Sequence, residues 1–296
     1  MNKDFSVAIM YAVTPCHAGS GSALGVVDLP IQRERHTNWP VIQASGVKGA
    51  FRANFERYKN NLSQEDKDKI KKFDKLQYSV FGTSEGAGYA GSLSISDAKI
   101  AAFPMRSNVS PFVWITCPSV LKRLKRDLDF AGVDVGACKV PEIESNKAYI
   151  INGKFKEENV LLEDYVVSVQ GEKLVTGFEP YLKGAERLLL ISDEVFNYGV
   201  SNCTQIMAQI KINSETGTTV EGSLRYQEEL PADTIMYTVI HWGDSKNSEE
   251  INLDADTIKR FIKEQVIKTY IQIAGDETCG RGIFQLTWNP RNEEGK

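Results

Sequence analysis

The run from Thr234 to Trp242, TIMYTVIHW, is almost continuously apolar. It offers no polar face to solvent, so it reads as a central strand buried on both sides of a sheet. Residues 5 to 13, FSVAIMYAV, place bulky side chains at odd positions and mostly small ones at even positions. That period of two marks a strand with one strongly packed face. Phe284, Leu286 and Trp288 alternate in the same way. Helical spacing occurs in two places. Val47, Phe51, Phe55 and Tyr58 form an apolar stripe over 46–58, and Ile258, Phe261, Ile262, Val266 and Tyr270 form another over 254–271.

Ser92 to Ile100 reads as a further strand whose phase slips after Ile95, the mark of a bulge, and Pro111 to Cys117 as a short one. Strand, helix, strand and, much later, strand, helix, strand is the split βαβ order. The expected fold class is α+β: a ferredoxin-like (RRM-like, βαββαβ) core with a large insertion and a thumb-like β-hairpin. A single domain over 1–296 is expected. Its core spans about 1–117 and 231–296, with the insertion at about 118–203. Thr204 to Ile212 and Val220 to Tyr226, joined by a Gly-containing turn, give the hairpin at about 204–226. Residues 61–75 mix both charge signs densely and read as a solvated excursion, and 81–88 as a turn-rich link.

The formal net charge of −4 argues against charge-driven binding of nucleic acid by the whole surface, so any such surface must be local. No apolar run reaches membrane-span length. With no signal-like beginning, the chain is expected in the cytoplasm. There its five cysteines, none in a CxxC pair, are free thiols. Cys16 and His17 are adjacent, so on a strand they face opposite sides and cannot share one metal.

Three segments carry chemistry-bearing residues. The first runs from a Gly/Ser-rich loop, with His17 at its entrance, through Asp28 in an apolar, Pro-bounded setting to Arg33, Arg35 and His36. The second is the start of the first helix. Ser45 is the expected N-cap, and Lys48 and Arg52 follow near the positive end of the helix dipole. This start suits either a docked phosphate or plain solvation. The third is the loop Gly275–Gly282, with Gly280 and Arg281. It is expected to join helix to strand, the reverse of a dinucleotide-binding order. It suits a sugar-phosphate chain or a simple helix cap and turn. Lys122, Arg123, Lys125 and Arg126 on a helix over 120–130 suit phosphate contact or a solvated face.

Thr14-Pro15-Cys16-His17 with its Gly-Ser loop, the run Val27 to Thr37, Ser45 to Gly49 and Gly275 to Gly282 resemble the RAMP superfamily of CRISPR effector subunits. Leu224 to Thr234 extends the match. Within that superfamily the Asp28-to-His36 run is similar to the repeated backbone subunit of type III-B (Cmr) complexes. The resemblance implies a subunit that polymerises with copies of itself in a helical filament along a guide crRNA, beside other Cmr subunits. It would cleave complementary target RNA at regular intervals by 2′-OH attack. Asp28 would be the catalytic acid and a possible metal ligand, with a divalent metal, Mg2+ or Mn2+, as cofactor. His17, Glu228 and Glu229 would be second-rank candidates. Arg33, Arg35, His36, Ser45, Lys48, Arg52, Gly275, Gly280, Arg281 and Gly282 would hold RNA. A non-catalytic crRNA-binding filament subunit and a freestanding crRNA-processing endonuclease are the alternatives.

Overall fold

The computed structural model describes residues 4–62, 75–83, 90–136, 139–171, 174–246 and 252–290. Most of the expected charged excursion and turn-rich link lies outside them, as does Cys138. The strands are β1 (Phe5–Ala12), β2 (Val41–Ile42), β3 (Leu93–Ile95), β4 (Ala98–Arg106), β5 (Phe112–Thr116), β6 (Lys147–Asn152), β7 (Asn159–Leu162), β8 (Tyr165–Gln170), β9 (Leu188–Ile191), β10 (Gln205–Gln209), β11 (Arg225–Glu229), β12 (Ile235–Trp242), β13 (Tyr270–Gln272) and β14 (Ile283–Trp288). The principal helices are α1 (Ala44–Asn60), α2 (Pro118–Phe130), α3 (Asp193–Asn202) and α4 (Ala255–Phe261).

One mixed sheet runs β13-β14-β1-β12-β4-β5-β9-β6-β8-β7, with β2 added beside β4 and β3 beside β12. β12, the apolar run, lies between β1 and β4 and is antiparallel to both. Its side chains divide between two cores. Met236 and Ile240 join Met10, Phe284 and the inward faces of α1 and α4, including Phe51, Phe55, Ile258 and Ile262. Ile235, Tyr237 and Val239 meet Leu121, Leu124 and Leu128 of α2. Both faces are thus covered, which is why β12 has no polar alternation. Burying each of Phe51 and Phe55 contributes about 1.5–3 kcal/mol.

The structure departs from the sequence expectations in several places. The slip after Ile95 is a break between two strands, at Ser96 and Asp97, where the Ser96 hydroxyl donates to the Asp97 carbonyl. The helix expected over 254–271 closes early. It widens into one π-turn over Ile262–Val266, and the chain then enters β13. Tyr270 accordingly points out, 58% exposed. The Gly275–Gly282 loop therefore joins strand to strand, β13 to β14, at the edge of the sheet. The region 118–203 adds β6 to β9 to the same sheet, and β9 lies parallel to β5. Among the described residues no helix is long and apolar enough to cross a membrane.

Candidate nucleic-acid interface

β10 and β11 form a separate two-stranded hairpin, paired from Gln205 with Glu229 to Gln209 with Arg225. Residues 210–224 extend it outward, almost all exposed. Ile206, Ile210, Ile212, Leu224 and Tyr226 each leave 42–55% of their area in solvent. The arm expected from the sequence is present. Its second strand lies further along than expected and ends at Glu229.

The Gly/Ser-rich loop is not slack. Ser20 N–H donates to the Pro30 carbonyl, Ala23 N–H to the Asp28 carbonyl and Gln32 N–H to the Ala18 carbonyl. Residues 18–32 thus fold back as an irregular paired arm. Its tip carries Leu24 and Val26, 109% and 92% exposed. Pro30 biases Leu29 toward extended backbone, so the returning half can run beside a strand.

That strand is β11, and its two sides do different things. Along one edge, Asp28 and Leu29 N–H groups donate to the Tyr226 carbonyl at 3.0 and 3.1 Å. Tyr226 N–H donates back to Asp28 Oδ2 at 2.7 Å. On the same edge His17 Nδ1 donates to the Glu228 carbonyl at 2.7 Å. A carbonyl only accepts, so Nδ1 carries a proton. The anchor points of Asp28 and His17 are two residues apart on β11, about 7 Å along the strand. The ring fits because residue 19 is glycine. A Cβ there would stand 2.7 Å from His17 Nε2.

The side chains of β11 alternate. Glu228 turns to the arm: it accepts from Arg33 Nη2 at 2.5 Å, Thr204 Oγ1 at 2.8 Å and Ile31 N–H at 3.0 Å. Gln227 and Glu229 turn to the glycine loop. Gln227 Nε2 donates to Asp276 Oδ2 at 2.5 Å and Arg281 Nε to Glu229 Oε1 at 3.0 Å. The loop holds its course through Gly280 and Gly282, both at φ +72°, and Gly275 N–H donates to the His17 carbonyl at 3.2 Å. A Cβ at Gly282 would lie 2.0 Å from the Ile273 carbonyl. Asp28, His17 and Arg281, remote in sequence, thus converge on the strand that carries Glu228 and Glu229.

Of the remaining candidates, Arg33 reaches this strand only through the Glu228 side chain. Arg33 also donates to the Asn38 and Val200 carbonyls, so its guanidinium is engaged within the protein. Arg35 and His36 are exposed. Ser45 is not the N-cap of α1. Gln43 holds that position without a side-chain cap, and the Asp97 carboxylate accepts from Ala44 N–H at 2.7 Å. Ser45 is exposed in the first turn. Lys48 Nζ donates to the Leu93 carbonyl at 3.0 Å and Arg52 Nη1 to the Gly82 carbonyl at 3.4 Å. Burial, then the nearby charges of Lys246 and Arg52, hold the Lys48 ammonium below its usual pKa. Lys48, Arg52 and Lys246 thus lie close enough to act on one another's charge. The basic run on α2 pairs internally instead: Arg123 with Glu34, Lys125 with Asp129 and Arg126 with Asp127.

Sequence reasoning missed the structural use of Glu34. Its carboxylate receives Arg123 through both Nη groups and the Thr37 hydroxyl, and so ties the 33–37 turn to α2. The signal present was the odd acid among bases in Arg33-Glu34-Arg35.

The RAMP superfamily profile matches residues 9–285, and the chain is a member of that superfamily. It is 35% identical to the CRISPR system Cmr endoribonuclease Cmr4 of Pyrococcus furiosus, over 94% of this chain and 93% of that protein. The CRISPR system CMR subunit Cmr4 of Saccharolobus solfataricus is 25% identical, with 94% of each chain covered. The crystal structure of oligomeric Cmr4 from Pyrococcus furiosus matches with a TM-score of 0.70 at 26% identity, over 96% of this chain and 97% of that one. A chain of the type III-B Cmr-beta complex bound to cognate target RNA, solved by cryo-EM, shares the fold at a TM-score of 0.72 and 22% identity, with 96% of each covered.

Proposed function

We propose that this chain is the repeated backbone subunit of a type III-B CRISPR effector complex. It acts there as a guide-dependent endoribonuclease that holds crRNA and cuts complementary target RNA. The single observation that carries this is the anchoring of Asp28 to Tyr226 at the root of an exposed hairpin. Whatever strand the hairpin bends is bent beside that carboxylate.

The chemistry needs little else. The target's own 2′-OH attacks the adjacent phosphorus, the 2′-O–P bond forms and the P–O5′ bond breaks. The proton leaves the 2′-OH for a base, and another reaches the departing 5′-oxygen. Asp28, with Oδ1 outside its bond to Tyr226, takes the first role. His17, with Nε2 turned away from its anchor, is placed for proton transfer one step along the same edge. Splaying by the hairpin supplies the in-line geometry, a positioning effect able to contribute several kcal/mol. Arg281 and the cations around Lys48 hold phosphates. Glu228 has both carboxylate oxygens engaged and acts by holding the Asp28 segment in place.

Among the described residues no group of three or more His, Cys, Asp or Glu side chains could hold a metal ion. A divalent cation, Mg2+ or Mn2+, would take most of its ligands from RNA phosphates and water.

The order β14-β1-β12-β4, with a helix joining β1 to β4 and another joining β12 to β14, supports a ferredoxin-like core in a single domain. The 118–203 region is then an insertion, and 204–226 the body of the thumb. The exposed apolar residues of the hairpin and of the 24–26 tip support packing against copies of the chain and other Cmr subunits in the cytoplasm. Mapping target-RNA cleavage with reconstituted complex, wild type against Asp28→Asn, tests the reading. Intact target with wild type rejects it. Equal cutting by both makes Asp28 a structural anchor only.

A further inference from the structure

Between the hairpin and the glycine loop lies a groove of about 860 Å³, walled by Met207, Lys211, Arg225, Asp276 and Arg281, with Glu229 in its lining. This is room for a nucleotide-sized occupant. Glu229 is 1% exposed. Its Oε1 accepts from Arg281 and, at 3.4 Å, from Gln227. Its Oε2 is buried with no hydrogen-bond partner among the described residues. Of the buried side-chain polar atoms without a partner there, it is the one carried by a carboxylate. Glu229 as a residue lines the groove, and buried carboxylate oxygens are ordinarily bonded, so its unbonded Oε2 calls for a donor.

We infer that Glu229 reads the ribose 2′-hydroxyl of a strand lying in this groove, while Arg281 holds its phosphate, so that this groove selects RNA over DNA. The inference rests on the RNA-binding part of the function proposed above. An ionised carboxylate is acceptor-only, and Arg281 already supplies its cation, so the free oxygen suits a neutral donor. Ribose hydroxyls meet that need at every nucleotide, whereas amino groups belong to some bases only. The 2′-OH is also the group by which a protein tells RNA from DNA. Anchored through Nε, the Arg281 guanidinium keeps both Nη groups outside its bond to Glu229, where they can meet a phosphate.

The test uses the full chain and two labelled probes, a short oligouridylate and its deoxyuridine counterpart. Uracil has no exocyclic amine, so only the hydroxyl differs as a sugar-borne donor. Fluorescence anisotropy should show tighter binding of the ribo strand by wild type. The preference should fall about tenfold in E229M, as expected for loss of one hydrogen bond to a charged group. E229Q, which keeps an acceptor toward Arg281, should retain part of it. Loss of the Arg281 anchor alters binding of both strands together, so the ratio of ribo to deoxy affinity is the readout. If E229M does not fold, as judged by circular dichroism, E229Q decides, and an undiminished preference in it overturns the inference. Equal binding of the two strands by wild type also overturns it while leaving RNA binding in place. Binding of neither strand removes the RNA-binding reading as well.

Discussion

Asp28 and Tyr226, 198 residues apart, are bonded in both directions. The Tyr226 N–H donates to the Asp28 carboxylate at 2.7 Å and the Asp28 N–H donates to the Tyr226 carbonyl at 3.0 Å. The hairpin and the Asp28 arm therefore move as one piece at their root. Asp28→Asn preserves an acceptor oxygen for Tyr226, so the anchor should survive and stability should change by less than about 1 kcal/mol. Cleavage should fall by about 10²–10⁴-fold, the range for loss of a general acid or base. Gel mapping of target RNA with assembled complex, beside a melting curve of the free chain, checks both halves. Asp28→Ala should lose the anchor too and melt lower.

Gly19 is the seat of the His17 ring. With 2.7 Å between a Cβ there and Nε2, Gly19→Ala must displace the imidazole. Cutting should drop to the level of His17→Ala, while guide binding stays within about twofold, because no phosphate contact is removed. Single-turnover cleavage and a filter-binding titration of the same variant separate the two. Full activity in Gly19→Ala would exclude His17 from the chemistry.

Arg33 and Glu228 form a largely buried pair, with side chains 16% and 9% exposed. Removing one partner leaves the other charged and unsatisfied. Arg33→Ala should cost about 3 kcal/mol, more than a surface pair would. Arg33→Met with Glu228→Gln together should recover part of that loss. Denaturant midpoints of wild type, Arg33→Met, Glu228→Gln and the double variant form the cycle. Strict additivity would show that the pair does not hold the arm to the hairpin.

The elements with a local period were legible in the sequence. Phe51 and Phe55 recur at helical spacing because α1 has one wet and one dry face. Thr234–Trp242 is apolar throughout because β12 is covered twice. What could not be read was pairing across long separations. Nothing local in Leu188–Ile191 says that it runs parallel to β5, and nothing in Tyr270-Ile271-Gln272 separates a strand from one more helical turn. The site was half legible for the same reason. Asp28, His17 and Arg281 stood out by residue type. Their meeting on β11 depends on backbone bonds to Tyr226 and Glu228, which leave no mark in sequence. In sequence Arg33 reads as a candidate RNA contact and Glu34 carries no role, because burial inside an ion pair changes no residue type.

Glu34 gives a pH signature. Burial pushes its carboxyl up, but hydrogen bonds from Arg123 and Thr37, with the Arg123 and His36 charges, outweigh that and hold it below the ordinary value. A depressed carboxylate contributes stability that is complete above its unfolded pKa, about 4.3, and is lost as pH falls through the folded value. Wild type should therefore lose stability more steeply than Glu34→Gln below about pH 4.3. The gap between them should be constant at higher pH. Melting temperatures across that range measure it.

Lys48 predicts the opposite balance between stability and binding. Its lowered pKa, from burial and then from Lys246 and Arg52, means that folding works against its charge. Folded-state stability should rise as pH climbs through the depressed value, because a neutral amine removes both the desolvation and the repulsion. Lys48→Met keeps the stem, gives up the 3.0 Å bond to the Leu93 carbonyl and removes the charge. The free chain should melt no lower. If the cluster waits for a phosphate, the same variant should bind single-stranded RNA more weakly at every sequence. Its slope of log affinity against log salt should shrink by about 0.7, one single-strand phosphate contact. Anisotropy titrations at several salt concentrations give that slope directly. An unchanged slope would mean that Lys48 meets no phosphate and that its ammonium serves only the Leu93 carbonyl.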